Sequence, residues 1–173
     1  MRESSELLSF SVGAQQEPLT LCWPAAPGWS CAEEEDEWSP AYGCKIATRT
    51  VRHRARVALP AEFAVMLSHE TGASALSLLE PAAYEYTHSG GSMILLFHDG
   101  AWQWRDWSGD ACFLAFGTQN DEPFLTAAEV SRLAFRGHSL LDAAVPLEFW
   151  ELRGGGAIEA ALSAHNAPPR GGW

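Results

Sequence analysis

At 173 residues the chain suits one domain with a sizeable core, and a hydrophobic share of 47% with eight tryptophans excludes a disordered polypeptide. Lys and Arg number 11 against 22 Asp and Glu, a net charge of −11 that argues against nucleic acid, whose phosphates attract clustered positive charge. No apolar run approaches the ~18 residues of a membrane-crossing helix, and Met1-Arg2-Glu3-Ser4-Ser5-Glu6 lacks the basic start and apolar middle of a secretion signal, so the expectation is no membrane partner and, by default, a cytoplasmic chain.

Residues 5–12 alternate as a first strand, with Leu8, Phe10 and Val12 on one face, and residues 19–23 read as a second. Pro24-Ala25-Ala26-Pro27-Gly28 breaks it. The run Glu33-Glu34-Glu35-Asp36-Glu37 lacks the Gly, Asn and Asp spacing of a calcium loop and reads as a solvated edge or loop. Ser39-Pro40 and Gly43 then supply a turn before the clearest signal in the chain. Over residues 50–59, Val51, His53, Ala55, Val57 and Leu59 alternate with Arg52, Arg54 and Arg56. That period predicts a strand with one face on a core and an arginine stripe in water.

Further strands are expected at residues 63–67 and 75–79, with Tyr84 and Tyr86 alternating towards Ser89-Gly90-Gly91. Residues 93–97 form a continuous apolar run, which predicts burial on both faces. Asp99-Gly100 predicts a two-residue hairpin turn into a return strand at 101–107, and Ser108-Gly109-Asp110 a second turn into 111–116, an antiparallel meander. Thr126 and Glu129 have capping-box spacing, so a helix at 126–135 competes with a strand at 130–135; Arg136-Gly137 and the spacing of the surrounding strands favour the strand. A strand at 146–152, a turn at Gly154-Gly155-Gly156 and a last strand at 157–162 follow. Short strands with frequent turns predict an all-β, antiparallel β-sandwich, jelly-roll-like and two-layered, over residues 1–163 as a single domain with a mobile C-terminal tail at 164–173.

Chemistry-bearing residues are sparse. Cys22, Cys31, Cys44 and Cys112 include no C-x-x-C pair and read as buried or partly buried thiols. Among six histidines, His53 falls on the apolar face of its strand as a core residue, His98 at a polar hairpin tip, and His138 pairs with Asp142 only by spacing. No metal site and no cofactor is expected. No G-x-S-x-G elbow or phosphate loop is present. Two ligand-binding candidates remain. Trp102 and Trp104, two apart on one strand, either stack on a sugar ring or fill the interior. Arg52, Arg54 and Arg56 either grip uronate carboxylates or form a solvated face.

Trp38-Ser39-Pro40-Ala41-Tyr42-Gly43 with the following strand and Ala58-Leu59-Pro60, Asp106-Trp107-Ser108-Gly109-Asp110-Ala111-Cys112-Phe113-Leu114, and Leu140-Leu141 with Pro146-Leu147-Glu148-Phe149 together resemble the C-terminal β-sandwich of heparinase II/III-like polysaccharide lyases. The resemblance implies a partner: those enzymes join an α/α-toroid to a β-sandwich and cleave acidic, uronate-containing polysaccharide by β-elimination. Most of their catalytic groups lie on the toroid, which this chain lacks, as it lacks the H-x-H-x-D motif of the sandwich, so no catalytic residue carries over. The implied function is an accessory sandwich, inactive alone. The alternatives are a stand-alone carbohydrate-binding module, which needs an exposed aromatic platform or groove, and an autonomous jelly-roll enzyme, which needs clustered His and carboxylates.

Overall fold

The computed structural model describes residues 5–12, 17–25, 28–59, 61–69, 72–154 and 156. Its strands are β1 (Ser5–Val12), β2 (Glu17–Pro24), β3 (Trp29–Trp38), β4 (Ile46–Ala55), β5 (Met66–Ser68), β6 (Ala75–Glu80), β7 (Ala83–His88), β8 (Gly91–Phe97), β9 (Trp102–Trp104), β10 (Trp107–Gly109), β11 (Phe113–Gln119), β12 (Glu122–Phe135) and β13 (His138–Arg153). All pair antiparallel, in a three-stranded sheet β1-β2-β5, an eight-stranded sheet β6-β7-β8-β11-β12-β10-β9 with β13 joined to β12, and a ribbon β3-β4. The chain divides into two compact units, one made of the residues up to Pro24 and from Ala64 onward, the other of Ala25–Phe63. The strand expected at 157–162 and the tail lie outside the described residues.

In the first unit the fold is a sandwich, and the register explains why. Leu96 sits between Ala83 and Leu114, and Phe116 between Ile94 and Leu125, so these residues share one face of the large sheet. All are buried there with Trp104, Trp107, Val130, Leu133 and Phe135. The opposite face carries Leu76, Tyr84, Tyr86, Leu95, Ala115 and Phe124, packed with Cys22 and Met66 of the three-stranded sheet. Both faces of β8 are therefore covered, as its apolar run predicts. Burying a side chain such as Phe116 or Leu114 contributes about 1.5–3 kcal/mol each. The large sheet also curls into a half-barrel: the indole N–H of Trp104, on β9, donates to the Glu80 carboxylate on β6, joining the first and last strands in the sheet order. Strands β8 and β11 approach so closely at Gly117 that a Cβ there would lie 2.1 Å from the Ser92 carbonyl oxygen; only glycine fits.

The Asp99-Gly100 hairpin does not form. Strand β8 pairs instead with β11, Leu96 opposite Leu114, and residues 98–112 make an excursion containing the small β9-β10 hairpin. The expected return strand is broken at Arg105, which takes a left-handed φ of 51° in the turn between Trp104 and Trp107. The contested segment at 130–135 is strand, as favoured, but it belongs to a longer one that begins at Glu122. Along one edge β12 pairs first with β11 and then with β10, while β13 takes the other edge. Asn120-Asp121 and Arg136-Gly137, each pair at positive φ, make the two hairpin turns at its ends.

The second unit corrects the reading of residues 50–59. Strand β4 starts earlier, at Ile46, and ends at Ala55, before Arg56, Val57 and Leu59. None of its side chains is buried; only Thr50, Val51 and His53 are half-buried. A two-stranded ribbon has no second layer of its own, so perfect alternation here marks pairing rather than a core. What cover exists is a small aromatic cluster in which Trp29 stacks on Phe63 at 4.2 Å and His53 tilts against Phe63 at 4.8 Å. The acidic run is a strand, exposed along most of its length, and not a loop.

Candidate functional site

The residues singled out beforehand are scattered. Arg52 and Arg54 project from β4 beside Glu34 of β3, at 2.6 and 3.5 Å, so one carboxylate answers two guanidinium groups. Arg56 lies past the end of β4. Asp36, on the same ribbon, has its carboxyl held below the usual range by the Glu37 amide and the Thr50 hydroxyl, against a small burial effect and with help from Arg52. Trp104 is buried in the core between Phe116 and the Arg105 guanidinium, which lies 4.3 Å from its ring centre. It presents no open face to solvent. Trp102 is half-buried, with its indole N–H donating to the Ala111 carbonyl at 2.7 Å and its ring stacked on His98 at 5.1 Å. His98 is thus a packing partner, not a hairpin tip. No disulfide joins the cysteines: Cys22 is buried and Cys31 and Cys112 are partly buried, as expected, while Cys44 is exposed and departs from that reading. Burial pushes the Cys22 thiol up to about 11. Among the described residues no group of His, Cys, Asp and Glu is placed to hold a metal ion.

The structure instead gathers a site that keeps Trp102 from the sequence candidates and otherwise draws on residues the pattern had not marked as ligand-binding. A hollow of about 390 Å³ at the β9-β10 end of the large sheet is lined by Trp102, Ser108, Arg132, Ser139, Leu141 and Asp142, among others. Arg132 and Asp142 are register partners on β12 and β13. Arg132 alternates with the core residue Leu133, and Ser108 lies between Trp107 and Gly109, so these polar groups project away from the core. Gly109 keeps β10 close to β12: a Cβ there would sit 2.7 Å from the Arg132 carbonyl oxygen and against the Leu133 and Trp102 side chains.

Two irregularities aim the site. Glu129 adopts a φ of 47°, and between Val130 and Arg132 the pairing shifts, so that residues 143–146 of β13 oppose Ser131 alone. Such bulges redirect side chains and twist a strand. Asp110 fastens the distortion. Its carboxylate accepts from the Ser131 and Arg132 amides, at 2.9 and 2.8 Å, and from the Ser131 hydroxyl, and lies 3.7 Å from the Arg132 guanidinium. Partial burial would raise its pKa, but those hydrogen bonds and the Arg132 charge together hold it below the ordinary value. Burial likewise raises the Cys112 thiol, helped by the charge and hydrogen bond of Glu129. Chemically the hollow offers a guanidinium, a carboxylate and hydroxyl groups, a set suited to hydrogen-bonding a polyhydroxylated ligand.

Comparison with protein families, characterised proteins and solved structures returns no match to this chain.

Proposed function

We propose that the chain is a non-catalytic, glycan-binding accessory β-sandwich, of the kind that its sequence resembles in heparinase II/III-like lyases, and that the hollow at Arg132 and Asp142 is where the glycan sits. The observation that carries this reading is the convergence of Arg132, Asp142, Ser108 and Ser139 around a hollow of about 390 Å³ on the large sheet. Such a volume admits a sugar unit, and charged side chains flanking hydroxyls hydrogen-bond to sugar hydroxyl groups. A second feature supports the accessory role. Phe97, Phe113, Ala128 and Phe149 are consecutive register partners across β8, β11, β12 and β13, and Phe97 and Phe149 are exposed. An apolar row on a sheet face is suited to a partner domain, here the α/α-toroid that the resemblance implies.

The test is a titration of the whole chain with acidic, neutral and amino-sugar oligosaccharides, followed by amide chemical shifts. Expected are shifts around residues 132–134 and 139–142 on at least one glycan. Arg132→Ala should weaken binding roughly tenfold, since hydrogen bonds to charged groups contribute ~1.5–3 kcal/mol. Ser108→Trp, which fills the hollow, should abolish it. Incubated alone with uronate polysaccharide, the chain should form no ultraviolet-absorbing unsaturated product; steady turnover would overturn the accessory reading.

A further inference from the structure

Two charged side chains line the hollow, Arg132 and Asp142, and Arg132 already has an ionic partner in Asp110. Asp110 and Arg132 lie 3.7 Å apart and answer one another. Asp142, although Arg132 is its register partner across the ladder, has no hydrogen-bond or ion-pair partner among the described residues. With Asp110 counted as the neighbour that answers Arg132, these groups sum to one negative charge, and the unanswered one is Asp142, inside a chain whose formal charge is −11. A ligand carrying its own carboxylate would bring like charge to Asp142 and to the field of the whole molecule, whereas a cation is drawn in by both.

On the glycan reading given above, we infer that the hollow is selective for an amino sugar, a pyranose with a free ammonium group, rather than for a uronate. The ammonium donates to the Asp142 carboxylate. The ring hydroxyls meet the Arg132 guanidinium and the hydroxyls of Ser108 and Ser139.

The probes are glucosamine oligomers, their fully N-acetylated counterparts, uronate oligomers of matched length and a lysine-rich peptide, each titrated into the full chain by calorimetry. The expected order is glucosamine oligomers ahead of the N-acetylated ones by roughly tenfold, the effect of one charge-assisted hydrogen bond, and no uronate binding in the hollow. Asp142→Asn should erase that difference, and Asp142→Lys should reverse it in favour of uronates. Asp142 is an exposed strand residue with no hydrogen-bond or ion-pair partner among the described residues, so both variants should fold; circular dichroism checks this. Equal or tighter binding of N-acetylated or uronate oligomers, lost on Arg132→Ala, overturns the amino-sugar inference and leaves the glycan reading standing. Binding of the lysine peptide with no glycan bound overturns both, as does the absence of any binding.

Discussion

Asp110 shows how one side chain sets a local geometry. Residue 129 has left-handed backbone, and the amides just after it, Ser131 and Arg132, turn to the Asp110 carboxylate. An asparagine has one acceptor oxygen and no charge, so Asp110→Asn should destabilise the fold by about 1–3 kcal/mol near neutral pH, through imperfectly satisfied amides. The acid dependence has a definite sign. Because the folded pKa lies below the unfolded one, the contribution of Asp110 is fully present above the ordinary carboxylate range and is lost as pH falls through the folded value. Urea midpoints of the native chain and of Asp110→Asn should therefore differ by a constant amount above ~pH 5 and converge in acid. A difference that grows on acidification would show that the carboxylate does not hold the bulge.

Among the elements, the β3-β4 ribbon separates pattern from packing most clearly. Its charges are laddered: Lys45 meets Glu37 at 2.5 Å, Arg49 meets Glu33 at 2.6 Å, and Glu34 holds both Arg52 and Arg54. These pairs are exposed, and such a pair contributes ~0–1 kcal/mol. Arg54→Ala should therefore change stability by less than ~0.5 kcal/mol and leave any uronate binding unaltered. Glu34→Lys places like charge against Arg52 and Arg54, and amide exchange at residues 30–36 and 50–54 should rise several-fold, more at low salt. If Arg54→Ala weakens binding of a uronate chain, the stripe is a ligand surface in spite of Glu34. The same ribbon shows why its sequence misleads: alternation of Val51 and His53 with arginines reports that a strand is present, while the depth of burial depends on what lies over it.

For the whole molecule, the decisive contact is the one that curls the large sheet. Trp104 joins β9 to β6 through Glu80 and fills the core beside Phe116. Trp104→Phe keeps a ring but loses the donor, and should lower stability by about 1–2 kcal/mol; Trp104→Ala adds a cavity and should cost about 3–5 kcal/mol. Glu80→Ala combined with Trp104→Phe should be less damaging than the sum of the two, because each removes the same bond. Strict additivity in denaturant midpoints would show that the tie contributes nothing to closure.

The all-β, antiparallel character, the doubly buried strand at 93–97 and the turns at residues 39–43 and at Ser89-Gly90 were determined by the chain itself, since alternation, apolar runs and turn residues act over a few neighbours. Ser108-Gly109, expected in a turn, lies instead within β10. Asn120-Asp121 does not read as a hairpin turn because it is flanked by polar Gln119 and Glu122 and by Pro123, which together resemble a loop. Strand partners were another matter. The pairing of β8 with β11 across the β9-β10 excursion, and the shift that sets Arg132 opposite Asp142, depend on how two apolar faces are buried at once. The candidate site exists only through that register. Local sequence carries no record of it, because a slip between strands changes every cross-strand neighbour without changing a single residue.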